Sequence, residues 1–246
     1  MTKAWLATTV HDPAGHMLGG IERNADALAG TFAGVAVAGT DETDERLFDA
    51  LAGMPMVRSR HAPGAGGIGA ARRESVALAL DEGAGVVLYS DLDHVLRWIE
   101  SDARELSHCL AAEPHIDLLV VGRSDLAFAA SPARLRKTEA LVNHVYTLMT
   151  GRRWDLMFAV RRMSARAASA IVANCREDGL ANDVTWPLLA ERLGFSVGYV
   201  GANGLRYLTT SDFDKDADRR DGDPRGWIHR IEIAADHARA MAAFLE

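Results

Sequence analysis

The chain has 246 residues, 48% of them hydrophobic and 25% charged, with a formal net charge of −7, which suits one large α/β domain with a sizeable core. The acidic balance excludes the clustered basic surface on which nucleic-acid affinity depends. The two cysteines, Cys109 and Cys175, stand in no metal or redox spacing and suggest a reducing, cytoplasmic setting; no apolar run reaches membrane-spanning length and the N-terminus has no leader pattern, so membrane contact is expected to be peripheral.

In chain order, Trp5 to Val10, Gly34 to Ala38, Met56 to Ser59, Val86 to Tyr89 and Ile116 to Val121 read as short buried strands. Between them, Gly19 to Ala29, Asp44 to Ala52 and Gly69 to Glu82 have helical spacing, and this β-α-β-α rhythm predicts a mainly parallel sheet covered on both faces. Ligands of such sheets gather at the carboxyl ends of the strands. Four polar stretches fall there and are expected to converge: His11-Asp12-Pro13, Thr40-Asp41-Glu42, the glycine-rich Pro63 to Gly69, and Asp91-Leu92-Asp93.

The last of these follows Val86-Val87-Leu88-Tyr89-Ser90, an apolar strand ending in two carboxylates one residue apart. If the extended backbone persists, Asp91 and Asp93 point the same way and form a two-oxygen claw for Mg²⁺ or Mn²⁺, which keep their other positions for water and phosphate oxygens. Asp93 suits equally the N-cap of a helix from His94. Upstream, the glycines of Gly64 to Gly69 let backbone N–H groups approach phosphate, and Arg72 or Arg73 in the following helix would fork onto its oxygens. The spacing is not the dinucleotide fingerprint, because it does not follow the first strand.

In the second half, a helix is expected from Pro132 to Thr150, a short strand near Met157 to Val160, a helix from Ser164 to Asn174, and another opening at Asp183. Ile228, Ile231, Ala235, Ala238, Ala242 and Leu245 make one helical stripe that reads as core-packing. Thr209 to Gly226 has almost nothing to bury and reads as a surface loop that closes over a ligand, with contacts from Arg219, Arg220, Arg225 or His229.

The run from Gly69-Ala70-Ala71-Arg72-Arg73 to Asp91-Leu92-Asp93 resembles the nucleotide-sugar-binding half of glycosyltransferases with the GT-A fold, particularly family 2. Thr40-Asp41-Glu42-Thr43-Asp44 stands where that family has Asp-Asp-Gly-Ser-x-Asp. Val121-Gly122-Arg123-Ser124, Asn143, Arg153 to Ser164, Asn182-Asp183 and Glu191 to Val200 are similar to the ordered motifs of polyprenyl-phosphate sugar synthases.

The resemblance implies a single GT-A domain over 1–246, with a nucleotide-sugar-binding half (1–122) and an acceptor half carrying the C-terminal helix (123–246). It implies transfer of a sugar from a nucleotide diphosphate-sugar to a hydroxyl or polyprenyl-phosphate acceptor, with Mg²⁺ or Mn²⁺. His11, Asp12, Asp41, Gly69, Arg72 and Asp91 would bind the donor, Asp91 and Asp93 the metal with His229 as a further ligand, and Asp183 would deprotonate the acceptor. Asp183 as a helix N-cap, with Pro187 in the first turn, is the structural alternative, and a solvent-facing residue is the alternative for His229. A homodimer is compatible with this reading. A nucleotidyltransferase is the competing enzyme class, but its basic glycine-rich loop after the first strand has no counterpart in His11 to Gly20, which lacks lysine and arginine. A non-catalytic nucleotide-binding relative is the third reading.

Overall fold

The computed structural model describes residues 3–206 and 220–245. Within them one sheet has the order β3-β2-β1-β4-β6-β5-β7. Its strands are β1 (Trp5–Val10), β2 (Gly34–Thr40), β3 (Met56–His61), β4 (Val86–Tyr89), β5 (Leu118–Arg123), β6 (Val160–Ser164) and β7 (Val197–Ala202). All run parallel except β6, which is antiparallel to both β4 and β5. The helices are α1 (Leu18–Thr31), α2 (Glu45–Leu51), α3 (Gly67–Asp81), α4 (Leu92–Ala111), α5 (Asp125–Ala129), α6 (Ala133–Thr150), α7 (Ala165–Asn174), α8 (Asn182–Arg192) and α9 (Pro224–Ala242).

Alternation along each strand feeds two cores. Leu6, Val35, Val37 and Leu88 face a layer with Ile21, Leu28, Phe48 and Trp98, whereas Ala7, Ala36, Val87 and Tyr89 face one with Val76, Tyr146, Ile171 and Trp186. The chain moves outward from β1 through β2 to β3 and then returns to place β4 on the other side of β1. Such a reversal opens a crevice at the carboxyl ends of the strands.

Four expectations change. β4 ends at Tyr89, and Asp91 occupies the N-cap position of α4, so Asp93 lies in a helical first turn rather than on an extended strand. The claw therefore does not follow from strand alternation. α4 itself is interrupted at Asp102, whose carboxylate accepts from the backbone N–H of Arg104 and Glu105 and restarts the helix.

The strand expected near Met157 forms instead over Val160–Ser164. Leu156 and Phe158 are buried from a turn, while Arg161 and Arg162 fill the strand. Hydrophobicity would not place two arginines there. Hydrogen bonds do: the Arg161 guanidinium donates to the carbonyls of Val160, Leu156 and Asp183, and that of Arg162 to those of Leu110, Ala112, Glu113 and Ile116.

α8 opens at Asn182 after an N-cap at Ala181, so Asp183 is not the cap. Pro187 then lies inside the helix and has no N–H for the carbonyl four residues back. That carbonyl belongs to Asp183, and Arg161 takes it at 2.7 Å.

The expected C-terminal core stripe faces outward. Ile228, Ile231 and Leu245 are exposed, and the buried stripe of α9 is Ile233, His237 and Met241. Helical spacing alone fits either face, and packing on α6 and α8 chose the one carrying the histidine. Of the polar loop Thr209 to Gly226, residues 209–219 lie outside the described residues. In its described end, Asp221 accepts from the backbone N–H of Ala133 and Arg134 and so caps α6. No described helix is long and apolar enough to cross a membrane.

Candidate active site

A cleft of about 670 Å³ opens at the crevice between β1 and β4, with walls from all four polar stretches: His11 and Asp12, Thr40, Pro63 to Ile68, and Asp91 and Asp93. His11 reaches it from the end of β1, its Nδ1 2.8 Å from the Thr40 hydroxyl. Asp12 is buried and accepts from the backbone N–H of Met17 at 2.8 Å, which orders the entry to α1. Asp41 is not brought into the wall; its carboxylate is exposed, with Arg60 at 4.0 Å.

The glycine-rich loop enters α3 with positive φ at Gly64, Gly66 and Gly67, a path that costs other residues strain. Gly69 serves a different purpose from the expected donor contact. Its N–H donates to the Asp178 carbonyl at 2.8 Å, and a Cβ there would stand 2.6 Å from the carbonyl oxygens of Glu177 and Gly179. The missing side chain makes room for the protein's own 177–179 segment. Arg73 is bound to the same segment, through the Glu177 carbonyl and the Asp178 carboxylate.

Arg72 borders the cleft but is only 3% exposed, and its guanidinium is engaged by the protein's own acceptors. Its Nη1 donates to Asn182 Oδ1 (2.7 Å) and Asp183 Oδ1 (2.8 Å), and its Nη2 to Asp91 Oδ2 (3.1 Å). The guanidinium lies over the Tyr89 ring, 5.4 Å from its centroid. Two carboxylates hold it in its charged form against the cost of burial.

Asp91 also accepts from the Tyr89 hydroxyl and, at 3.4 Å, from Thr9. Burial pushes its carboxyl up, but Arg72, His94 and the Tyr89 hydroxyl together outweigh this and the net displacement is downward. Burial likewise opposes ionisation of Asp183, yet Arg72, with His237 and Arg161, brings that carboxyl down to about 2. Asp93 is less committed: its side chain is 33% exposed, with Arg97 one turn away at 3.5 Å.

Arg72 and Asp91 also border a smaller chamber of about 190 Å³, shared with His94, Arg123, Glu139, Asp183 and Arg230. The buried Glu139 there accepts from Arg123 at 2.5 Å and Arg230 at 2.6 Å. Arg123 forks onto Asp155 as well, which Asn143 steadies at 3.1 Å. These cations are already matched within the protein.

His229 stands outside both cavities, 72% exposed on α9 with Glu232 at 4.0 Å. Among the described residues, no three or more histidine, cysteine or acidic side chains assemble as a ready-made metal cage. Sequence reading gave no site role to Thr9, Tyr89 or His237, and it placed Arg161 and Asn182 within family-like motifs without a role of their own. Tyr89, the last residue of β4 and two before Asp91, and Asn182, next to Asp183, had a signal in sequence; the others are joined to the site only by the fold.

The chemistry of the cleft follows from one contrast. Asp12, Asp91 and Asp93 line it, and the only arginine or lysine among its described lining residues is Arg72, which is spent on protein acceptors. An anionic ligand entering there would meet these carboxylates unless a cation accompanied it. Asp93, partly exposed and carboxylate-bearing, beside a fixed Asp91, suits Mg²⁺ or Mn²⁺, whose remaining positions water and phosphate oxygens would fill.

No protein-family model matches the sequence, and no curated protein matches it. Solved structures do. The glucosyl-3-phosphoglycerate synthase of Mycobacterium tuberculosis, solved with Mn²⁺, uridine diphosphate and phosphoglyceric acid, is 14% identical over 94% of this chain and 78% of its own, with a TM-score of 0.52. The same enzyme with Mn²⁺, uridine-diphosphate-glucose and phosphoglyceric acid is 13% identical over 94% and 80%, at 0.54. The 4-diphosphocytidyl-2C-methyl-D-erythritol synthase of Anaerococcus prevotii DSM 20548 is 10% identical over 89% and 95%, at 0.52. At such identities the likeness is one of architecture, and the chain has the α/β fold of GT-A nucleotide-sugar enzymes.

Proposed function

We propose that the chain is a metal-dependent glycosyltransferase that takes a sugar from a nucleoside diphosphate donor in the larger cleft and passes it to an acceptor presented from the smaller chamber. The carrying observation is a nucleotide-sized cleft at the strand reversal with Asp91 and Asp93 in its wall and no uncommitted arginine or lysine among its described lining residues. Mn²⁺ and uridine-diphosphate-glucose in a structure of like fold support it.

In this reading Asp93, partly exposed, is the direct metal ligand. Asp91, fixed by Tyr89 and Arg72, orients the donor beside it. A bound divalent cation would offset charge on the departing diphosphate. His11, Asp12 and Thr40 border the base end of the cleft, and the N-terminus of α3 lies along its wall. Asp183 borders the acceptor chamber, but its carboxylate is engaged by Arg72 and holds a proton poorly. Its role is then to anchor Arg72 rather than to serve as base. The acceptor is a hydroxyl or phosphate compound, a phosphate-bearing one being suggested by phosphoglyceric acid in the related fold. Cytoplasmic location and peripheral contact with a polyprenyl phosphate in the membrane belong to the same reading.

The nucleotidyltransferase alternative has a neighbour of like fold. The loop after β1 disfavours it, since 11–20 carries no lysine or arginine to grip a triphosphate.

Thermal denaturation with nucleoside diphosphates, with Mn²⁺ or with chelator, tests the proposal. Saturation at about 100 times Kd contributes about 2.7 kcal/mol. At this size that raises Tm by about 5–11 °C. Asp93→Ala should lose the metal-dependent increment and keep the wild-type apo Tm within a few degrees, because its ion pair with Arg97 is long and partly solvated. An undiminished increment in that variant would falsify the metal assignment.

A further inference from the structure

We infer that His237 is a positioning residue for this site: acting through Asp183, it keeps the Arg72 guanidinium at the cleft wall shared between Asp183 and Asp91 rather than given over to Asp91. The inference rests on the glycosyltransferase reading for its consequence, but its geometry stands apart from it. His237 is completely buried, midway along the inner stripe of α9 between Ile233 and Met241. An aliphatic side chain would fill that place without desolvating two nitrogens. Packing therefore gives no reason for the imidazole.

Hydrogen bonding gives one. Nδ1 lies 2.7 Å from the Ile233 carbonyl, which can only accept, so Nδ1 carries a hydrogen and the ring is fixed about its own helix. Nε2 is thereby directed to Asp183 Oδ2 at 3.7 Å, beyond hydrogen-bond length, and because an ionised carboxylate only accepts, the contact holds Asp183 when Nε2 carries a hydrogen as well. Asp183 is held from three elements: its Oδ1 by Arg72 of α3, its carbonyl by Arg161 of β6, and its Oδ2 faces His237 of α9.

The consequence falls on Arg72. Its guanidinium is divided between Asp183 with Asn182 on one side and Asp91 on the other. If Asp183 rotated, Nη1 would keep only the neutral Asn182 oxygen and the guanidinium would shift toward the remaining carboxylate, Asp91, which borders the donor cleft. There it would neutralise a carboxylate next to the metal position and take up space for the diphosphate. His237 opposes this with the polar edge of its ring, whose Nε2 faces Asp183 Oδ2 at 3.7 Å, a contact leucine cannot make. The C-terminal helix thus acts on a charge at the cleft wall without itself lining the cleft.

The test compares His237→Leu, His237→Asn and His237→Gln. Asparagine is too short to reach Asp183, whereas glutamine can offer it an N–H. Guanidinium N–H exchange is followed by NMR of the whole chain labelled with ¹⁵N-arginine, the Arg72 signals being assigned with Arg72→Lys. Arg123, equally buried but paired with Asp155 and Glu139, is the internal control. Exchange at Arg72 should quicken at least tenfold in the leucine and asparagine variants, stay unchanged at Arg123, and return toward wild type in the glutamine variant. Unchanged exchange at Arg72, or an equal rise at both arginines, overturns the inference. Should the leucine variant not fold, the asparagine and glutamine pair decides alone.

Uridine diphosphate with Mn²⁺ then probes the consequence. Its Kd should rise at least tenfold in the leucine and asparagine variants and recover with glutamine. An unaltered Kd beside quickened exchange refutes the link to the cleft. If the wild-type protein binds no nucleoside diphosphate with Mn²⁺, the glycosyltransferase reading fails, and the exchange data still decide the role of His237.

Discussion

Replacing Arg72 by leucine removes the cation that joins α3, α4 and α8. The variant loses hydrogen bonds to Asn182, Asp183 and Asp91 at 2.7, 2.8 and 3.1 Å and the contact with the Tyr89 ring. Two carboxylates are left behind, but they do not suffer equally. The Asp91 side chain is 24% exposed and can rehydrate, whereas that of Asp183 is 7% exposed and cannot. Breaking a buried pair by removing one partner costs about 3–5 kcal/mol. With one carboxylate relieved by water, about 3–4 kcal/mol is expected, or about 6–16 °C in Tm for a chain of this size.

The pH dependence identifies the cause. In the wild-type protein Asp183 sits at about 2, below its ordinary 3.8, so it contributes stability above the ordinary value and loses it as pH falls from about 4 towards 2. In Arg72→Leu the unpaired buried carboxylate prefers its neutral form, so acidification relieves the strain. The stability gap between the two proteins should be widest at pH 7 and narrow as pH falls, first through the variant's raised carboxyl above pH 4 and then as the wild-type contribution is lost below it. Urea denaturation across pH 3–7 measures it. A gap that stays constant with pH would mean that lost packing, not charge, sets the cost, and the reasoning would be wrong.

Two further substitutions separate roles within the site. Gly69→Ala places a methyl against two backbone carbonyls at 2.6 Å that cannot swing aside, so a loss of about 1–3 kcal/mol is expected, and wild-type urea stability in that variant would contradict the packing role. Asp183→Asn keeps an oxygen for Arg72 but removes the charge, so about 1–3 kcal/mol should be lost, together with the acid-limb contribution of Asp183. If Asp183 anchors Arg72, donor KM rises along with a fall in kcat, while a loss of several orders of magnitude in kcat at unchanged donor KM would restore it as the base.

The sheet was legible because buried parallel strands are short apolar runs. Trp5–Val10 and Val86–Tyr89 can be bounded from residue type alone, and the polar stretches after them mark the carboxyl edge where a cleft must lie. Helix starts with a side-chain cap were equally readable, as at Asp44 and Ser164, whose oxygens accept backbone N–H groups in the next turn. These are local matters, decided within a few residues.

What only the tertiary structure decided depends on partners far apart in the chain. A charged residue looks the same in sequence whether water or another buried group satisfies it. Arg72 could be read as a phosphate ligand until Asp183, 111 residues later, took its guanidinium. Arg161 and Arg162 contradict strand composition until the carbonyls that receive them come into place. The face of α9 was undetermined because both its stripes have helical spacing; the buried one contains His237, whose nearby acid belongs to α8. Hydrophobic pattern locates the layers of this protein, but the pairing of its buried charges, which shapes the site, exists only once the layers have closed on each other.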